Sequence, residues 1–65
     1  MSSSVIRNWS YDSDARRLVL LFTSGRRYCY LNVPEGVVAG LAAAGSKGSY
    51  FNRQIRECFA FEPAD

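Results

Sequence analysis

The stretch Arg17-Leu18-Val19-Leu20-Leu21-Phe22-Thr23-Ser24-Gly25-Arg26-Arg27-Tyr28-Cys29-Tyr30-Leu31 decides the fold. From Leu18 to Phe22 it is unbroken apolar sequence, the mark of a strand covered on both faces. Ser24-Gly25 then opens a hairpin, and two loops compete for it. A two-residue type I′ turn would force Ser24 to positive φ, which serine resists. A three-residue loop, Thr23-Ser24-Gly25, leaves only glycine in the left-handed position. The spacing therefore predicts the longer loop. Leu20 then faces Tyr28 and Leu18 faces Tyr30. Leu18, Leu20, Phe22, Tyr28 and Tyr30 share one face, and Val19, Leu21, Cys29 and Leu31 share the other. A slip of one residue would exchange the two sets.

Upstream of this hairpin, Val5 to Tyr11 reads as a strand. Simple alternation places Val5, Arg7, Trp9 and Tyr11 on one side and Ile6, Asn8 and Ser10 on the other. Asp12 to Arg16 reads as a turn in which Asp and Ser side chains bond nearby backbone. Residues 1–4 read as a flexible leader. Downstream, Arg26 to Val33 forms the third strand. Pro34 ends it and suits a helix start, with Asn32 as a candidate cap. Glu35 to Ala44 reads as a helix using Val37, Val38, Leu41, Ala42 and Ala44 as its apolar face. Gly40 weakens that helix by about 1 kcal/mol relative to alanine unless close packing requires it. Gly45 suits its end, and Ser46 and Ser49 are both candidate caps for a second helix from about Ser49 to Phe59. Phe51, Ile55, Cys58 and Phe59 fall on its buried face. Phe59 to Phe61 reads as the helix end or the start of a short extended piece. Residues 62–65 read as a frayed tail. The expectation is an α+β domain over residues 5–61: a three-stranded antiparallel β-meander followed by two helices packed on one face (βββαα).

The chain has 65 residues, enough for one domain. A chain of that size buries only about 60% of the surface it exposes when unfolded. Hydrophobic residues make up 48%, and there are four Phe, four Tyr and one Trp, too rich an apolar content for a disordered chain. No apolar run approaches the roughly 20 residues that a bilayer requires. Met1 to Ser4 lacks the basic start and apolar core of a signal peptide. The expectation is a cytoplasmic protein with no membrane partner. Cys29 and Cys58 read as two small buried thiols, linked only if the strand and the last helix meet. With no histidine and no CxxC pair, neither a metal nor another cofactor is indicated.

Charge is unevenly placed. Seven arginines and Lys47 precede Glu57, against Asp12, Asp14 and Glu35; from Glu57 onward only carboxylates remain. Arginine favours two-pronged contact with phosphate or carboxylate. The connector and second helix are the leading candidate phosphate or RNA site: Ser46, Lys47, Gly48 and Ser49 at the helix start, then Asn52, Arg53 and Arg56 on its polar face. The plainer alternative is a capped helix start and a solvated face. The segment Gly40 to Lys47 approaches a P-loop but fails, because lysine does not follow the second glycine directly and a helix precedes it. Tyr28 and Tyr30, with Trp9 and Tyr11, invite comparison with sheets that stack bases on aromatic rings. The predicted register instead turns the two tyrosines toward the helices as core. Val19, Leu21, Cys29 and Leu31 then form an apolar face that the helices cannot also cover, a candidate protein or self-association interface. Catalysis has little support: there is no histidine, and no carboxylate pair is evident.

Ser4-x-Ile6, Tyr11-Asp12, Leu18-x-Leu20-x-Phe22-x-Ser24-Gly25, Tyr28-x-Tyr30, Val33-Pro34, Ser46-Lys47-Gly48-Ser49-Tyr50-Phe51-Asn52 and Ile55 occur in this order and spacing. Together they resemble the KTSC domain family from about Ser4 to Phe61. The resemblance implies a domain found at the C-terminus of some lysyl-tRNA synthetases and in short stand-alone bacterial and phage-related proteins. It implies no catalytic residues and no established activity, with RNA binding suggested. Val19 and Leu21 depart from the charged or polar residues expected of the family there, which favours self-association. Two expectations follow: a small RNA-binding module, or a protein-interaction module acting through the apolar sheet face.

Overall fold

The computed structural model describes residues 6–64. The expected leader, with Val5 and Asp65, lies outside them. The elements run β1 (Ile6–Asp12), β2 (Arg17–Phe22), β3 (Arg27–Tyr30), α1 (Glu35–Ala43), α2 (Lys47–Gln54) and β4 (Phe61–Pro63). The strands form one antiparallel sheet in the order β1-β2-β3-β4.

The central hairpin has the three-residue loop. Gly25 sits at φ +94°, its N–H donates to the Phe22 carbonyl at 2.9 Å, and the Phe22 N–H donates to the Arg26 carbonyl at 2.9 Å. Leu18 pairs with Tyr30 and Leu20 with Tyr28, as the loop choice requires. At the other end of β2, the Asp12 side chain accepts from the N–H groups of Asp14 and Ala15, so the β1–β2 turn is held by its own aspartate. Arg16 closes that turn at φ +55°.

Three features depart from the expected βββαα pattern. First, β1 does not alternate simply. Ile6 pairs with Phe22 but Asn8 pairs with Leu21, so Arg7 is the extra residue of a β-bulge. The bulge turns Ile6 onto the same face as Trp9 and Tyr11, where it is buried. Second, α2 begins at Lys47 and ends at Gln54, earlier at both ends than expected. Ser46 is its cap and accepts from the Ser49 N–H at 3.3 Å. At the far end the Phe51 carbonyl takes both the Ile55 and Arg56 N–H groups, and the chain turns away. Cys58 is therefore exposed rather than buried on a helix, and both cysteines are free thiols. Third, the expected frayed tail is a strand. Tyr28, Cys29 and Tyr30 pair with Pro63, Glu62 and Phe61, and the Ala64 N–H donates to the Arg27 carbonyl at 3.0 Å. The outer edge of β3 thereby gains partners for its backbone groups, which favour pairing over open solvent when a neighbouring strand is within reach. Asn32 does not cap α1. It takes φ +57°, and Pro34 holds the cap position without a side-chain bond.

The core lies between the helices and one sheet face. Leu18 and Leu20 of β2, Val33, Leu41 of α1 and Ile55 after α2 are wholly buried. Each such side chain stabilises the fold by roughly 1.5–3 kcal/mol through removal from water. Ile6, Tyr30 and Phe51 complete the cluster, with Trp9, Tyr11, Phe22, Tyr28, Val37, Val38, Tyr50 and Phe59 packed against it. The Tyr11 hydroxyl donates to the Val33 carbonyl at 2.6 Å, and the Val33 N–H donates to the Arg16 carbonyl at 2.9 Å. These bonds pin the segment after β3 back onto β1 and the turn. Gly40 faces the Tyr50 ring, so α1 and α2 approach closely there. Among the described residues, no helix is long and apolar enough to cross a membrane.

Candidate functional site

The connector before α2 is less open than its composition suggests. The Ser46 side-chain oxygen already accepts from Ser49, so one of the helix's free N–H groups is used internally. Lys47 folds back: its Nζ donates to the Ala44 carbonyl at 3.2 Å and stands 5.5 Å from the Trp9 ring centre. Gly48 is buried and Ser49 half-buried. Ser46, Lys47, Gly48 and Ser49 thus form a closed corner, built around a cap and a cation over an aromatic face.

The remaining three residues of the expected phosphate site stay outward. Asn52 and Arg53 are exposed on α2, and Arg56 is exposed in the turn beyond it. α2 ends at Gln54, so Arg53 and Arg56 do not share a helical face. Among the described residues neither forms an ion pair.

Tyr28 and Tyr30 lie on the helix-covered face. Tyr30 is only 3% exposed. Burial raises its phenol pKa; the Arg56 charge opposes that rise and Tyr28 adds to it. Tyr28 is half-buried, and its hydroxyl accepts from Arg26 Nη1 at 3.4 Å. An open aromatic platform is therefore absent from the centre of the sheet. The rings instead line a hollow at its β4 end, an open space of about 480 Å³ bounded by Phe22, Tyr28, Tyr30, Phe51, Arg56, Glu57 and Phe61. Most of its ring contacts are edge-on: Phe22 lies 5.7 Å from Tyr28 and 5.3 Å from Phe51, and Phe61 lies 5.5 Å from Tyr28, while Tyr30 and Phe61 are tilted by 30° at 5.1 Å. Phe61 closes one side while remaining 52% exposed. Phe22, Glu57 and Phe61 were not among the residues picked out from sequence. The alternation of Phe59 and Phe61 beside Glu57 was the available signal.

The opposite sheet face carries Val19, Leu21, Cys29 and Leu31. Val19, Leu21 and Leu31 are half-buried, but Cys29 is 7% exposed and offers almost no surface. It is flanked by its strand neighbours Val19 and Glu62, which cover so small a side chain. Two shallow hollows cross this face. One is lined by Asp12, Arg17, Val19, Cys29 and Glu62, the other by Asn8, Ser10, Val19, Leu21 and Arg27. The apolar patch is consequently narrower than expected and framed by charge.

Comparison with known proteins agrees with this architecture. A KTSC domain protein from Yersinia pestis superposes with a TM-score of 0.92 at 35% identity, covering 100% of this chain and 92% of that one. The lysine–tRNA ligase of Nostoc punctiforme is 42% identical over 59 residues, which is 91% of this chain but only 10% of the ligase. An uncharacterised protein of Stutzerimonas stutzeri is 40% identical over 56 residues, 86% of this chain and 79% of that protein. The KTSC domain model itself matches residues 2–59. With sequence and fold both matched over nearly the whole length, the chain belongs to the KTSC domain family.

Proposed function

We propose that this domain is a small accessory module that binds single-stranded RNA through its phosphates, using Asn52, Arg53 and Arg56. The observation that carries the reading is the pair Arg53 and Arg56: both are exposed and, among the described residues, without a carboxylate partner, while Lys47 is engaged internally. Arginines placed so are suited to two-pronged phosphate contact. The relation to ligases whose name states that they act on tRNA supports the same reading, although the shared part is a tenth of those enzymes. Binding releases counterions, so affinity falls with salt. Two phosphate contacts to a single strand give a slope of log K against log salt of about −1.4, and Arg53→Gln or Arg56→Gln each reduces it by about 0.7. A titration of the full chain with mixed single-stranded RNA at two salt concentrations tests this. No binding at low salt would end the proposal.

A second reading, association with a partner protein or a second copy, rests on Val19, Leu21 and Leu31, which stay partly open on the face the helices leave bare. Light scattering over a range of concentrations decides it: a monomer throughout removes self-association.

A further inference from the structure

We infer that the aromatic hollow beside α2 receives an unpaired nucleobase, so that the domain reads single-stranded RNA by stacking as well as by charge. The inference rests on the RNA reading above and deepens it.

The hollow is made mostly of ring surface. Phe22, Tyr28 and Phe61 supply its open ring surface, with Tyr30 and Phe51 buried behind them, and about 480 Å³ is within the range of small-ligand sites, roughly 300–1,000 Å³. Four of its ring pairs are set edge to face, and Tyr30 and Phe61 lie tilted by 30° with centres 5.1 Å apart. Phe61 is held half-exposed by strand pairing with Tyr30, so an apolar ring is kept in water at the mouth. The polar groups at the rim choose among flat ligands. Arg56 brings a positive charge to the edge of the hollow, and Glu57 brings an acceptor suited to a base amino group. A flat ring with amino edges, joined to an anion, meets all three features. Arg56 is also one of the proposed phosphate contacts, so a strand held at Arg56 has a base beside the rings. A duplex cannot do this, since its bases are stacked and paired.

The test uses the full chain and two short single-stranded oligoribonucleotides, one intact and one carrying abasic residues in place of its bases. Expected is binding of the intact strand on the order of tenfold tighter than the abasic one, the size of one base–aromatic stack. Phe61→Leu removes that preference while leaving the salt slope unchanged. Phe61→Trp preserves it, and circular dichroism establishes that both variants fold. Arg56→Gln changes the slope instead. Equal affinity for intact and abasic strands, with salt-dependent binding retained, overturns the hollow and leaves the phosphate contacts standing. Absence of binding at low salt overturns both. Amide shifts on adding the intact strand are expected at Tyr28, Arg56 and Phe61; shifts confined to Val19, Leu21 and their neighbours also overturn the assignment.

Discussion

Gly40→Ala is the most informative single substitution in this fold, because two effects of opposite sign meet there. On a free helix the change stabilises by about 1 kcal/mol, since alanine restricts the unfolded chain and glycine does not. In α1 a Cβ at Gly40 would fall against the Tyr50 hydroxyl and only 2.7 Å from its Cζ. The ring must then move, and it gives up the bond from its hydroxyl to the Val37 carbonyl, 2.9 Å long. Such a bond contributes about 1 kcal/mol net, and forced repacking costs about 1–3 kcal/mol. The balance is a destabilisation of about 1–3 kcal/mol. With a urea dependence of about 1 kcal/mol per molar, the unfolding midpoint falls by about 1–3 M. In a Tyr50→Leu background the obstructing hydroxyl and ring are gone. There Gly40→Ala should raise the midpoint, by up to about 1 M. The four proteins form a double-mutant cycle read by circular dichroism in urea. A midpoint unchanged or raised by Gly40→Ala in the parent would refute the close-contact argument, and so would an equal loss in both backgrounds.

Tyr11→Phe removes the 2.6 Å bond to the Val33 carbonyl and should lower stability by about 1 kcal/mol, seen as a lower urea midpoint with unchanged dependence. Leu20→Ala, at a wholly buried site, should cost about 2–5 kcal/mol. That approaches the entire stability of a domain this size, about 3–10 kcal/mol, so its thermal transition should broaden or vanish. Burial raises the Tyr30 pKa, so the folded chain holds that proton more tightly than the unfolded one. The associated stability is fully present below the unfolded value near 10 and is lost as pH rises through the higher folded value. Midpoints measured across that alkaline range should fall less steeply in Tyr30→Phe. Ser46→Ala should destabilise by about 1 kcal/mol through loss of the cap, and should leave RNA affinity unchanged if phosphates follow Arg53 and Arg56.

The centre of the sheet was legible because one residue decided it. Only Gly25 tolerates the left-handed position of the loop, and from that the facing of Tyr28 and Tyr30 follows without reference to the rest of the chain. The bulge at Arg7 was not legible, since Val5 to Tyr11 alternates equally well without it. What selects the bulge is the need of Ile6 for the core. The length of α2 was hidden for a related reason: Cys58 and Phe59 continue a helical spacing that the turn after Ile55 interrupts. The strand Phe61–Pro63 contains only three residues and a proline, too little signal to distinguish from a tail. At the candidate site, Arg53 and Arg56 could be named from composition. The internal use of Lys47 could not, because it depends on Trp9 arriving from β1. The hollow depends on rings from four separate elements and on a strand that composition did not announce.

The fourth strand bears on how copies of this domain meet one another. An open sheet invites its own kind, because each border row of amides and carbonyls is a template for another chain. Here one border ends in a three-residue strand containing Pro63, whose nitrogen cannot donate, and the other carries the Arg7 kink. Both margins are thereby blunted. Lateral zippering of edge on edge into fibres is disfavoured at each side.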